Sequence, residues 1–173
     1  MTYIQRSGGQ IALFVLSLVG AAIAIYLTTV HYENVPLICS TQGFIDCARV
    51  LSSSYSVVPG TTIPITVPGL GWCIVSAALA LIGWRFWPER RSVLIAECIW
   101  NSLGMLTVFY LVYVELVRLH TLCAWCTALH VIILMMLLIS VVQLQQPELD
   151  LEVEEEEEDT SDLKRVNTSG KMR

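Results

Sequence analysis

Charge is scarce in this chain. Only 14% of its 173 residues are charged, against 55% hydrophobic. A soluble domain carries about 25% charged residues. That deficit speaks against a disordered body and against nucleic acid as a partner. Acids are scarcer still over most of the chain, because ten of the fifteen fall within residues 148–162. Residues 1–147 hold five acids and six bases, all arginine, so the net charge of −5 divides into a +1 body and a −6 tail (ten acids, four bases). Cysteine is sparse as well. Six in a chain this long are too few for a disulfide scaffold. No internal repeat is present.

What the chain has instead is long apolar runs. Residues 11–30 form a stretch of twenty without a charge, enough at about 1.5 Å per residue to cross a hydrocarbon core of roughly 30 Å. Residues 69–87 form a second run, opened by Pro68. Residues 93–117 form a third, interrupted by Glu97, Asn101 and Glu115, and residues 122–144 a fourth. The expected fold is an all-α integral membrane protein, a bundle of four transmembrane helices. Arg6 and Ala22-Ile23-Ala24 also suit a cleaved signal peptide, but the apolar run continues through Val30, which favours a retained span. The domains expected are a membrane domain over 1–146 and an acidic, disordered cytoplasmic tail over 147–173, where Glu154 to Glu158 have nothing to bury.

Basic residues give the orientation. Arg6, Arg85, Arg90, Arg91 and the tail bases fall on one side, and Arg49 and Arg118 on the other. Both termini are therefore expected in the cytoplasm, of a bacterial cell membrane. Residues 31–68 then form a long outer loop. Phe44, Cys47 or Ala48, and Leu51 recur in it at helical spacing. They predict a short interfacial helix ended by Ser52-Ser53-Ser54. Pro59, Pro64 and Pro68 predict an extended return to the second span.

This orientation places Cys39, Cys47, Cys123 and Cys126 together on the outer side, where disulfides persist. Cys123-Ala124-Trp125-Cys126 is a C-x-x-C at a helix start, with Thr121 or His120 as the expected cap. The helix N-terminus favours a thiolate there, and such pairs exchange disulfides. A lipid-soluble electron carrier can reach a pair so placed. A c-type haem needs His after the second Cys, where Thr127 stands. The spacing of the two pairs is not a usual zinc pattern, so no metal is expected. Two inert structural bridges remain an alternative, above all for Cys39 and Cys47.

A four-helix membrane chain with Cys-x7-Cys in its first outer loop and C-x-x-C opening the fourth helix resembles the vitamin K epoxide reductase family. Cys47-Ala48-Arg49-Val50-Leu51-Ser52-Ser53 is similar to the family's segment after the second loop cysteine. The resemblance covers about residues 11–142. It implies that Cys126 faces the quinone, that Cys123 is its exchange partner, that Cys47 bridges to Cys123, and that an external thiol protein attacks Cys39. It implies a role for the Ser53 hydroxyl in the cysteine arrangement or the quinone pocket. A hydroxyl that merely ends a helix is the alternative there. Bacterial members make disulfides with ubiquinone or menaquinone as acceptor. Some carry a fused thioredoxin-like domain, which the short acidic tail does not supply, so a separate thioredoxin-fold dithiol protein is the implied partner.

Two positions depart from the family pattern. His130 stands where many members have tyrosine, and Thr66-Val67-Pro68-Gly69-Leu70 lacks the asparagine that some have near the start of the second helix. His130 is one turn past Cys126 on the same face, and Trp125 lies inside the motif. Both are candidates to line a quinone pocket, and helix packing is the alternative for each. Cys73 and Cys98 read as small apolar fillers, and Glu97 with Asn101 as groups for helix packing or for anchoring at the membrane edge. The expected function is a membrane thiol:quinone oxidoreductase. The alternatives are a quinone-epoxide reductase built from the same relay and a non-enzymatic scaffold with structural disulfides. The other four-helix family of bacterial quinone-coupled disulfide oxidases carries its C-x-x-C first, the reverse of the order here.

Overall fold

The structure, a computed structural model, describes residues 2–33, 39, 45–85 and 91–145. The acidic segment expected as a tail, and Phe44 of the expected short helix, lie outside the described residues. α1 is Thr2–Glu33, α2 is Cys47–Leu51 and α3 is Thr66–Arg85. α4 is Arg91–Tyr113, continued by a π-helical segment Val114–Leu119. α5 is Ala124–Gln145. Four helices are long and apolar enough to cross a membrane, the third of them running from Arg91 to Leu119. α1 runs unbroken through Ala22-Ile23-Ala24. Pro68 is the third residue of α3, within the first turn, where a missing N–H breaks no helical hydrogen bond.

The packing is inside-out relative to a soluble bundle. Large apolar side chains cover the exterior: Leu18 and Ile25 on α1, Ile99, Leu106 and Phe109 on α4, and Val142 on α5 are all at least half exposed. The interior holds polar groups. Gln10 Nε2 donates to Glu97 Oε2 at 2.8 Å and to Gln143 Oε1 at 3.0 Å, tying α1, α4 and α5 together. Asn101 Nδ2 donates to Ser140 Oγ at 2.6 Å. Glu97 and Asn101 are thus helix-packing groups, as expected. Where the surroundings are as apolar as Leu, exposing Leu costs nothing, and packing with interhelical hydrogen bonds holds the helices together. This arrangement suits a multi-pass membrane protein.

Leu13, Ala80 and Met136 form the apolar centre, joined by Phe14, Trp72 and Ile139. Glycines let neighbours approach. A Cβ on Gly83 would lie 2.9 Å from Gln10 Oε1, and one on Gly104 2.6 Å from the Trp72 ring. Trp72 stacks on Trp100 with centroids 6.5 Å apart and planes 8° from parallel. Trp100 Nε1 donates to Ser76 Oγ at 3.1 Å.

The connection between α2 and α3 is not the extended return expected from its prolines. Val57 pairs antiparallel with Pro64, and Val58 N–H donates to the Ile63 carbonyl at 2.9 Å. Gly60, at φ 79°, lets the chain reverse between them.

Candidate redox site

The site lies where α1 ends, α3 begins, α4 ends and α5 begins. Cys39 and Cys47 form a disulfide. Asp46 caps α2, its Oδ1 accepting from Arg49 N–H at 3.0 Å. The Asp46 N–H reaches across the fold to the Leu122 carbonyl at 3.0 Å, and Ile45 and Leu122 pair in parallel. This clamp joins the residues immediately before Cys47 and Cys123. Both cysteines are fully buried at 0% exposure, so these two sulfurs lie away from solvent.

Cys123 is itself the cap of α5, where sequence suggested Thr121 or His120. Its carbonyl accepts the first helical hydrogen bond, from Thr127 N–H at 2.8 Å, and its Sγ accepts from Cys126 N–H at 3.3 Å. A sulfur in this position substitutes for the usual Ser or Asp oxygen. Thr121 is drawn back to α4 instead, its N–H on the Glu115 carbonyl at 3.1 Å. The Cys123 thiol is held below its usual value, first by a hydrogen bond from the Cys126 thiol. The backbone N–H groups of Cys126 and Trp125 add to this, while burial and the Glu115 carboxylate oppose it. Stabilisation by this thiolate is therefore full above the ordinary thiol range and is lost as pH falls through the lowered folded value. Two variants test the leading cause. Cys126→Ser keeps a hydrogen-bond donor to Cys123, and Cys126→Ala does not. The expected result is a Cys47–Cys123 bridge that forms several-fold faster at neutral pH in the serine variant. Its half-maximal rate should also come at a lower pH, read by acid quench and alkylation. Equal profiles would remove this hydrogen bond from the explanation.

Two cavities meet at Cys126. The larger, about 560 Å³, opens between α1, α3, α4 and α5 and is lined by Leu27, Thr66, Trp72, Trp100, Cys126 and His130 among others. Its walls are mostly apolar, and its size lies within the range of small-molecule sites. The smaller, about 70 Å³, is lined by His31, Ser53, Tyr55, Glu115 and Cys126 among others.

The expected site residues divide between these places. Cys126 and His130 share the wall of the large cavity. Ser53 lines the small one, and its Oγ donates to the Val50 carbonyl at 2.8 Å, a helix-ending contact. Trp125 turns to α1, its ring tilted against Tyr26 with centroids 5.1 Å apart. Cys73 is buried and also borders the large cavity, and a Cβ on Gly20 would lie 3.1 Å from its Sγ. Cys98 is half-buried on α4.

One site residue was missed from sequence. Glu115 is 4% exposed and sits in the π-helical turn. Its carboxylate accepts from the backbone N–H of Cys123 and lies against the thiol of Cys126. In the sequence it stands only as an interruption of an apolar run. The available signal was a carboxylate within a span, which is costly and rarely kept without a use.

Residues 11–141, from the first span into the last, match the family model described as "Vitamin K epoxide reductase family". The chain belongs to the vitamin K epoxide reductase family. Family membership implies an oxidoreductase, and proteins of this family use quinones. The match takes in both cysteine pairs, the clamp between them and the walls of the large cavity. No curated protein matches the chain.

Proposed function

We propose that the protein oxidises a dithiol protein and reduces a membrane quinone. The observation that carries this reading is the placement of Cys126. It stands in the wall of the large apolar cavity, while its partner Cys123 is clamped beside Cys47. The cavity fits a quinone head: its size is adequate, its walls are apolar, and His130 supplies one polar group.

A thiolate of the partner attacks Cys39, and Cys47 leaves as a thiolate. The partner's second thiol then displaces Cys39, which leaves the partner oxidised and Cys39/Cys47 reduced. Cys47 attacks Cys123 of an oxidised Cys123–Cys126 pair, and Cys126 leaves. Cys39 then attacks Cys47 and frees Cys123, which restores the Cys39–Cys47 disulfide and leaves Cys123 and Cys126 reduced. Cys39 and Cys47 are bonded in the structure, and Cys123 and Cys126 are free. Closing the Cys123–Cys126 disulfide delivers two electrons to the quinone, which takes up two protons. Ubiquinone and menaquinone are the acceptors proposed, and a separate thioredoxin-fold protein the donor. The arginine distribution supports cytoplasmic termini and a cysteine end on the outer face of the membrane.

The experiment is turnover by purified protein in lipid, with a soluble quinone analogue and a reduced thioredoxin-fold protein. Quinone absorbance should fall only when all three are present. Alanine at any of Cys39, Cys47, Cys123 or Cys126 should stop it.

A further inference from the structure

Glu115 has no role in the relay just described, yet it is built into the centre of it. The carboxylate is 4% exposed. It accepts the Cys123 N–H and lies against the Cys126 thiol. Its Oε2 has no hydrogen-bond partner among the described residues. Burying a carboxylate with an idle oxygen is expensive, and a glutamine would accept the same N–H without that cost. The backbone holds the residue firmly: the Glu115 carbonyl accepts both the His120 and the Thr121 N–H groups as the π-helical segment ends. Such segments recur at functional sites. The other titratable groups on the small cavity are His31 of α1 and Tyr55 of the loop after α2. Arg118 Nε donates to the Tyr55 hydroxyl at 3.1 Å.

We infer that Glu115 is the proton acceptor for the Cys126 thiol, and that it releases this proton through the small cavity that it lines. The inference rests on the reading above for the identity of the acceptor. In the closing step the Cys126 S–H bond breaks and its proton moves to the Glu115 carboxylate. The Cys123 thiolate and the Cys126 sulfur form the disulfide, and two electrons pass to the quinone. Glu115 then gives this proton to water in the small cavity and returns to a carboxylate. The two quinone oxygens take up two protons from water at the cysteine end. No net charge is left in the buried site beyond the one Glu115 carried at the start.

Glu115→Gln tests this, because it keeps the shape and the acceptor for Cys123 N–H but cannot take a proton. Two measurements are made. The first does not involve quinone: the pH profile of iodoacetamide reaction at Cys126 in the reduced protein, read peptide by peptide. If Glu115 takes the proton, E115Q slows this reaction about tenfold or more at neutral pH, with recovery at alkaline pH. If Glu115 is only a neighbouring negative charge, its removal eases thiolate formation and the reaction becomes faster. The second is single-turnover quinone reduction, expected to slow on the order of 10²-fold, the lower end of general acid–base contributions. Reduction of Cys39–Cys47 by the dithiol partner should stay at the wild-type rate, and E115D should restore part of the loss. Alkylation as fast as wild type, or faster, overturns the role of Glu115. Wild-type protein that alkylates as expected but never reduces quinone sinks the acceptor reading instead and leaves the Cys126–Glu115 proton pair standing.

Discussion

Cys126→Ala should bring quinone reduction down to the uncatalysed background, a loss on the order of 10⁴-fold or more, the scale of removing a reacting nucleophile. The same variant should accumulate a Cys47–Cys123 disulfide. Cys123 keeps its place beside Cys47 through the Asp46–Leu122 hydrogen bond, so it can still attack Cys47 and free Cys39. With residue 126 lacking a sulfur, no thiol remains on the quinone side to displace Cys47. Non-reducing digestion and mass spectrometry would show the bridged peptides. Cys47→Ala should give no such bridge: without the Cys39–Cys47 disulfide the dithiol partner has no bond to attack, so it stays reduced. A Cys126→Ala protein that reduces quinone at a substantial fraction of the wild-type rate would remove Cys126 from the electron path.

Gln10→Ala should destabilise the bundle by about 2–4 kcal/mol, because it strands two buried acceptors at once. Gln10 is 3% exposed and is the donor to both Glu97 Oε2 and Gln143 Oε1. Neither acceptor can turn to water, since both residues are as deeply buried as Gln10. The informative control is the triple variant Gln10→Leu, Glu97→Leu and Gln143→Leu. It leaves no polar group needing a partner, so it should recover most of the loss although it removes more hydrogen bonds. Unfolding in mixed detergent micelles measures both. If the single and triple variants are equally destabilised, the cost comes from packing and not from stranded polar groups.

The two predictions concern opposite ends of the molecule, and the sequence was informative about them to different degrees. Spans were legible because lipid tolerates only long apolar helices whose backbone groups are paired internally, and a twenty-residue uncharged run has few other readings. Gln10 was not legible as a core residue. It lies one position before the apolar run of 11–30, where a polar side chain ordinarily marks a helix end in water. Only its hydrogen bonds to Glu97 of α4 and Gln143 of α5, and the close approach of Gly83 on α3, turn it inward. The C-x-x-C was legible as redox chemistry from spacing. Its cap was not, because Thr121 is a common capping residue and cysteine is not. The choice depended on the turn at His120, whose φ of 51° draws Thr121 back to α4. The neighbourhood of Cys47 and Cys123 is a long-range parallel pairing between single residues, which no local pattern encodes. Glu115 was visible as a letter but not as a partner. It precedes Cys123 by eight positions, and the π-helical turn that aims it at the cysteines has no periodic signature.

The central claim is that electrons from a dithiol protein reach a quinone through these four cysteines. The stoichiometry of turnover tests it most directly. Purified protein in lipid is supplied with a limiting amount of reduced thioredoxin-fold partner and excess quinone analogue, and both products are counted. The account predicts one quinone reduced for each disulfide formed in the partner, with neither product formed when Cys126 is alanine. Partner oxidation without quinone reduction, or a yield unchanged by the loss of Cys126, would contradict it.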